Sequence, residues 1–480
     1  MKRLKVVAKW LVPSLLLAVG FFSFLPVAGA FPAAGIIPGT DIMISTEGAA
    51  APDVEISANG EYIAVTYFRI DSGGGVHLKS ASASDGWLTS RFLGAGSDPH
   101  LSFDPTAAGN NIVYVTWARS DNKAIQYARC TLAKATRPTC TVGIVATSLS
   151  NLETPDVVVD SSGNIHVAWI TQNGDVQSAV STNQGGTWST PVNLASGGDA
   201  FRRPQLAFAN GVLHLAYVRE SNIPVGGNTV AAGIRIEYRR ATTPLSQNWS
   251  SAQSFGPGSG VSGVYNSVDQ PSLVASGDKV YLAWEAHSAN NSGVNDQFSL
   301  MKNESANNGS TFAPPIRYIT SDNSAASVVD SPLKESRSSF FGSVVPIQED
   351  GLRPSLVISG TSYAAVWQER PSSSCGEGSN ATSEIHYSTK GASWSGPDTL
   401  ADTISQYSID PDLAINASSK VRHFVFMKDD DQVQGCQGNT GAAYAIYYRG
   451  PFIIVEKDEG EDTTDPTSPK PTIYLPLIRK

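Results

Sequence analysis

Seven times along the chain a short apolar run closes on an aromatic residue. The runs are Ile63–Tyr67 (IAVTY), Val113–Trp117 (VYVTW), Ile165–Trp169 (IHVAW), Leu213–Tyr217 (LHLAY), Val280–Trp284 (VYLAW), Tyr363–Trp367 (YAAVW) and Arg422–Phe426 (RHFVF). A proline precedes each: Pro52, Pro99, Pro155, Pro204, Pro271, Pro354 and Pro411. After each comes a second alternating segment, such as Val76-His77-Leu78, Ile234–Tyr238 or Ile385-His386-Tyr387. Alternation with period two, rich in β-branched and aromatic residues, predicts strands. No long segment of period 3.6 competes with them. Each unit reads as strand A after the proline, strand B ending in the aromatic, strand C, a turn and strand D. Recurrence every roughly fifty to eighty residues predicts an all-β chain folded as a single propeller of four-stranded blades. The count is seven blades, or six if one unit is an insertion. Closing the ring leaves few strand edges exposed. Asp41–Ser45 (DIMIS) reads as a strand D that completes the last blade.

The turn between strands C and D has its own signature. Residues 181–191 read STNQGGTWSTP, and the spacing returns at 305–312 and, shortened, at 388–394. An Asn side chain bonds its own turn, and a glycine takes positive φ. A Thr adds a hydroxyl, and a Trp packs between blades. This turn resembles the Asp-box, or BNR repeat, of the sialidase superfamily of β-propellers. The match is carried by Ser181, Asn183, Gly185, Thr187 and Trp188, and by Ser305, Asn307, Gly309, Thr311 and Phe312. With the blade pattern the resemblance covers about residues 41–455. It implies that these turns are structural and lie opposite the active face.

Outside the repeats, residues 1–30 read as a secretory signal. Lys2, Arg3, Lys5 and Lys9 begin it, an apolar run follows to about Pro26, and Ala28-Gly29-Ala30 offers a cleavage site before Phe31. A retained membrane anchor is the other reading of that run; the A-x-A triplet and the prolines at 13 and 26 favour cleavage. The whole chain carries a net charge of −9, and without its basic leader it is near −13. Such a surface disfavours nucleic acid and anionic membranes as partners. Residues 31–455 form the expected propeller. Residues 456–480 combine an acidic Pro/Thr-rich linker with a short apolar-basic tail. That tail resembles a processed sorting tag for cell-envelope attachment; a docking strand is the alternative, and it is too short to span a bilayer. Four cysteines in an exported chain suggest two disulfides. The blade register pairs Cys130 with Cys140 across a C–D turn, and Cys375 with Cys436 between neighbouring loops.

Strand ends opposite the C–D turns form a mouth, where loops on a rigid scaffold commonly hold ligands. Two residues after the closing aromatics stand Arg69, Arg119, Thr171, Arg219, Ala286, Glu369 and Lys428, with Arg370 beside Glu369. Just before the prolines stand Asp98, Glu153, Arg202 with Arg203, Asp269, Arg353 and Asp410. Arginine suits two-point recognition of a carboxylate or sulfate. The ligand-binding candidates are therefore Arg202, Arg219, Arg353, Arg370, Arg119 and Arg69; a ring of ion pairs that stiffens the mouth is the competing reading. Phe201-Arg202-Arg203-Pro204 resembles the aromatic-Arg-x-Pro motif whose Arg grips the substrate carboxylate in sialidases. Sialidases carry that motif in the first of six blades; here it falls in the fourth unit. Their Tyr nucleophile, assisting Glu and Asp acid/base imply Tyr407, Glu285 and Asp269 as catalytic candidates, and no spacing singles out one set. Seven scattered His show no metal spacing, and neither a metal nor a cofactor is expected. The expected function is that of an exported propeller, secreted or on the cell surface, that binds a glycan or glycoprotein on its top face. Glycoside hydrolysis of the exo-sialidase type on acidic sugars is one form of this. A non-catalytic adhesion or assembly module is the other, and lyase action on anionic polysaccharide a third.

Exported protein should begin at Phe31. N-terminal sequencing that finds Met1 intact on secreted material would show that the leader is retained.

Overall fold

The apolar runs are strands in the computed structural model. It describes residues 41–45, 48–69, 75–82, 86–106, 110–196, 201–225, 228–256, 265–289, 297–317, 354–359, 362–369, 384–390, 398–401, 407–416, 422–429 and 444–450. These lie in one compact unit, Ile36–Lys480. After β1 (Ile42–Met43) the first sheet holds β2 (Ala49–Ile56), β3 (Tyr62–Arg69) and β4 (Gly75–Ser82), with β5 (Gly86–Trp87) and β6 (Arg91–Gly94) both on β4. The second holds β7 (Gly96–Phe103), β8 (Ile112–Arg119), β9 (Ala124–Thr131) and β10 (Thr139–Thr147). The third holds β11 (Leu152–Val159), β12 (Ile165–Thr171), β13 (Val176–Ser181) and β14 (Val192–Ala195). The fourth holds β15 (Phe201–Ala209), β16 (Val212–Val225), β17 (Asn228–Ala241) and β18 (Gln253–Phe255). The fifth holds β19 (Tyr265–Ser276), β20 (Lys279–Ala289), β21 (Gln297–Ser305) and β22 (Ile316–Arg317). The sixth holds β23 (Ser355–Ser359), β24 (Ser362–Glu369), β25 (Glu384–Lys390) and β26 (Asp398–Ala401). The seventh holds β27 (Tyr407–Ile415), β28 (Arg422–Asp429) and β29 (Tyr444–Arg449), with β1 as its outer strand.

All pairings are antiparallel. The innermost strands β2, β7, β11, β15, β19, β23 and β27 pack on one another in that order, and β27 packs back on β2. The chain is thus an all-β propeller of four-stranded blades. Its N-terminal strand closes the last sheet as expected, with Ile42 opposite Tyr448 and Met43 opposite Tyr447. Ser45 Oγ accepts the Ile446 amide at 2.7 Å, and Arg449 donates to Asp41 at 2.7 Å.

The closing aromatics explain how the sheets hold together. Tyr67, Trp117, Trp169, Tyr217, Trp284, Trp367 and Phe426 are all buried. Each sits in the apolar cluster between its own sheet and the preceding one. One large ring per seam supplies much of the apolar area that excludes water there.

The prolines occupy a different place from the one expected. Strand A does not begin after its proline in most sheets; it runs through it. The ladder with strand B skips a step around Pro52, Pro99, Pro155, Pro204, Pro271 and Pro411. A proline cannot donate to the ladder, so it falls where a bulge leaves a gap. The residue before it takes a left-handed backbone at Ala51, Asp98, Thr154, Arg203 and Gln270, with φ between +43° and +53°.

The two C–D turns are built alike. Asn183 Oδ1 accepts the Thr187 amide at 2.8 Å, and Ser181 Oγ accepts the Gly185 amide at 2.9 Å. The corresponding bonds at Asn307 and Ser305 are 2.9 and 3.0 Å. Trp188 packs edge-on against Tyr127 of the second sheet, and Phe312 against Tyr238 of the fourth. The glycine is required twice over. Gly185 and Gly309 have φ of +90° and +72°, and a Cβ on either would collide with Tyr127 or Tyr238. Each turn is therefore keyed to a tyrosine of the sheet before it. Cys130 and Cys140 stand opposite each other on β9 and β10 and form a disulfide. Cys375, Cys436, residues 1–30 and residues 456–480 lie outside the described residues.

Gly309→Ala should destabilise the fold by roughly 2–4 kcal/mol, combining left-handed strain with overpacking against Tyr238. Gly211→Ala is the control, because Gly211 has φ of +76° with nothing within 4 Å. Urea unfolding of both variants isolates the packing part. Equal losses would show that Tyr238 does not read the turn.

Candidate functional site

Antiparallel connection places the starts of the innermost strands and the ends of the second strands on one face, opposite the C–D turns. On the first three sheets the positions before the proline are small or acidic: Ala50 and Ala51, Ser97 and Asp98, Glu153 and Thr154. On the fourth they are Arg202 and Arg203. Arg202 donates from Nη1 to Glu220 Oε1 at 2.7 Å and from Nη2 to Asp269 Oδ2 at 3.1 Å. Arg203 pairs with Asp269 as an ion pair, its Nε 3.0 Å from Oδ1. The amide oxygen of Gln270, turned toward Arg203, accepts from its guanidinium at 3.2 Å. Asp269 and Gln270 belong to the fifth sheet, so the cluster bridges two sheets at the mouth. The side chains of Arg202 and Arg203 remain 30% and 26% exposed. Guanidinium forks beside carboxylates can donate to an anionic or hydroxyl-bearing ligand while the carboxylates accept from it.

The other candidates are dispersed. Arg219 does not join Arg202; it donates to Glu237 at 3.3 Å. Glu237 also accepts from the Tyr217 hydroxyl at 3.2 Å, which in turn accepts from Arg239 Nε at 2.8 Å. Tyr217 is buried, and burial above all pushes its hydroxyl up to about 12. This network stiffens the interior of the fourth sheet. Arg119 forms a two-point pair with Asp121 in its own hairpin, at 2.8 and 2.7 Å. Arg69 ends β3, opposite Ala49 and Gly75. Glu285 stands opposite Asp269 in the ladder but is only 6% exposed. Tyr407 begins β27, and its side chain lies outside the described residues, as do Arg353 and Arg370. Of the three catalytic candidates, Asp269 is the one placed at the mouth among the described side chains, and it holds two arginines.

Beneath the mouth runs a channel of about 360 Å³ lined by all seven innermost strands. The residue directly after each proline faces it: Asp53, His100, Asp156, Gln205, Ser272, Ser355 and Asp412. Four of these side chains cap backbone donors of the next innermost strand. Asp412 accepts from Val54, Asp53 from Leu101, and Asp156 from Leu206, at 2.7, 2.7 and 2.5 Å. Ser272 accepts from Leu356 at 3.0 Å. One step further in, Glu55 accepts from Phe103 at 2.8 Å. Burial raises the carboxyls of Asp53 and Asp156 above their ordinary range and that of Glu55 to about 8. In the sequence this ring is marked by a polar residue directly after every proline, and the mouth by the residues before it. Among the described residues no three His, Cys, Asp or Glu side chains are placed to hold a metal ion. No described helix is long and apolar enough to cross a membrane.

No protein-family model matches the sequence, and no curated protein matches it. Solved structures do. A PL25 ulvan lyase, a polysaccharide lyase, superposes with a TM-score of 0.54 at 9% identity, over 86% of this chain and 96% of that one. The same figures hold for the ulvan lyase bound to -[GlcA(1-4)Rha3S]-. A Hadza microbial sialidase gives a TM-score of 0.42 at 12% identity, over 86% of this chain and 68% of that one. The likeness is one of fold.

The Arg202–Asp269 pair should show a coupling of about 1 kcal/mol in a double-mutant cycle followed by urea unfolding, as expected for a partly exposed ion pair. A coupling of zero would show that the pair does not brace the two sheets.

Proposed function

We propose that the chain is an exported, secreted or cell-surface propeller that binds an acidic saccharide over the mouth between its fourth and fifth sheets. The observation that carries this reading is the partly exposed Arg202–Arg203 pair steadied by Asp269 and Glu220. Two carboxylates take up only part of the Arg202 fork, which has five N–H donors. The cluster presents donors and acceptors side by side on a rigid rim. A saccharide bearing a carboxylate or sulfate next to free hydroxyls matches both. The ulvan lyase with the same fold, seen with a GlcA-containing, sulfated saccharide, supports this ligand class. The paired turns at Ser181–Trp188 and Ser305–Phe312 support kinship with the sialidase superfamily.

The non-catalytic form of this reading has an observation of its own. Both oxygens of Asp269 are engaged by guanidinium groups, which suits a fixed acceptor better than a proton shuttle. Glycoside hydrolysis or elimination would need an acid or base from elsewhere on the mouth.

Purified protein should bind uronate- or sulfate-bearing oligosaccharides in preference to neutral ones, more weakly as salt is added. Arg202→Ala should weaken binding about tenfold, the worth of one charge-assisted hydrogen bond. Calorimetry on an oligosaccharide panel measures the affinity, and product analysis on the same panel separates binding from turnover. Folded protein that ignores every acidic saccharide would sink the proposal; unchanged affinity in Arg202→Ala would move the site away from this cluster.

A further inference from the structure

The outer edge of the second sheet is unlike the other outer edges. The outer strands β1, β5, β6, β14, β18, β22 and β26 are two to four residues long. β10 is nine residues long. Among the described residues no strand pairs with its far side. Sheet proteins guard such edges with charges, prolines or brevity. Residues 139–152 carry neither a charge nor a proline. Three of the seven large apolar side chains exposed among the described residues fall on β10 or just past it, so the apolar exposure gathers here. They are Val142 at 44%, Ile144 at 46% and Leu149 at 100%.

The backbone register shows what this edge offers. Cys130 and Cys140 stand opposite each other with Cα atoms 4.0 Å apart, the close spacing of a pair that exchanges no backbone bonds. Cys140 therefore turns its N–H and C=O away from β9. By alternation Val142 and Ile144 do the same, while Gly143 bonds inward to its partner Tyr127. The ladder to β9 shifts only after Ile144, so the bulge lies beyond these groups. The disulfide ties the hairpin at its turn end, so the edge is held ready and little ordering is left to do on docking.

The strand that fits this edge is a second copy of itself. Reflected about Gly143, the sequence matches Thr139 with Thr147, Cys140 with Ala146, Thr141 with Val145 and Val142 with Ile144. Each match is alike in size or branching. A two-fold axis at Gly143 sets every residue of one copy against its reflected residue in the other. Val142 of each copy then meets Ile144 of the other. Both are pairs whose backbone groups point outward, so they exchange about four hydrogen bonds in all. Their β-branched side chains also meet across the strands. The chain carries a net charge of −9, so copies repel one another in general. That repulsion is least along an edge with no charge.

We propose that two copies of this chain pair edge to edge through β10, antiparallel about Gly143, so that the second sheets of both form one continuous sheet. Antiparallel pairing reverses the strand, so the mouth end of one copy lies beside the C–D turn end of the other. An interface of one strand edge is small, and the dimer it makes is a reversible one.

Sedimentation of the full chain over a concentration series tests the pairing. The wild type should show a dimer fraction that rises with concentration; a monomer throughout overturns the proposal. Val142→Lys and Ile144→Glu each alter an exposed side chain and should leave the melting temperature unchanged. Each should weaken the dimer by about tenfold or more, because the new charge enters the two-fold interface twice. Mixing the two variants should restore a dimer, since the introduced lysine of one copy faces the introduced glutamate of the other and the second Val142–Ile144 pair stays intact. Variants that dimerise as the wild type does, or folded variants that stay monomeric when mixed, overturn this edge or this register. Hydrogen exchange on the wild type needs no variant. The amides of Val142 and Ile144 should gain protection as concentration rises, and that of Gly143, bonded inward, should not. Protection independent of concentration in a monomer would give the edge to another occupant and overturn the second copy. None of these outcomes depends on saccharide binding.

Discussion

The innermost strands of a ring have one edge with no strand beside it. Their amides still need acceptors, because a buried donor without one costs about 1–3 kcal/mol. Here the acceptor is delivered sideways, by a side chain from the neighbouring innermost strand. Asp412, Asp53, Asp156 and Ser272 each cap an amide one strand along. The proline bulge is what makes this geometry available. It bends the strand just before the capping residue, so the following side chain turns into the channel. The cost is a set of left-handed residues held in place by the ladders around them. The gain is a ring whose sheets are joined by hydrogen bonds at the centre as well as by aromatic rings further out.

That arrangement also separates two regions with different chemistry. The channel gathers acids in a buried setting, where they raise one another's affinity for protons. The mouth above the fourth and fifth sheets keeps its charges paired and partly exposed. Arg202, Arg203, Asp269 and Glu220 can exchange partners with a ligand at modest cost, since exposed ion pairs are individually weak. The long β16–β17 hairpin rises from the same sheet as the two arginines. The asymmetry of the rim thus lies in one sheet and its neighbour.

Much of the fold was legible because its determinants are local and periodic. The aromatic at the end of strand B, the Asn-x-Gly-x-Thr turn and the Cys130–Cys140 spacing each act within a few residues or one hairpin. The start of strand A was not legible for an equally local reason. A proline inside a strand reads as a boundary unless a bulge is allowed for, and here bulges recur through the ring. The mouth was legible as a composition and not as a set of partners. Arg219 and Arg202 hold equivalent-looking places beside strand ends, yet one turns inward to Glu237 and the other bridges to Asp269. Side-chain direction after a bulge is set by three-dimensional twist, which spacing along the chain does not encode. The bond from the Val54 amide to Asp412 was out of reach for a further reason: it joins residues from opposite ends of the chain.

The N-terminal strand has a consequence for how this protein assembles. Its bonds to the last sheet join residues as far apart as Asp41 and Arg449, separated by 408 positions. Closing a loop of that length in a flexible chain costs on the order of 5 kcal/mol in entropy, and contacts of such high order form slowly. The first segment synthesised must therefore wait for the last. Until it docks, β29 is an open edge able to pair with another chain. A circular permutant that joins β29 directly to β1 would convert this longest-range contact into a hairpin, and so move the slow step of assembly to a different seam.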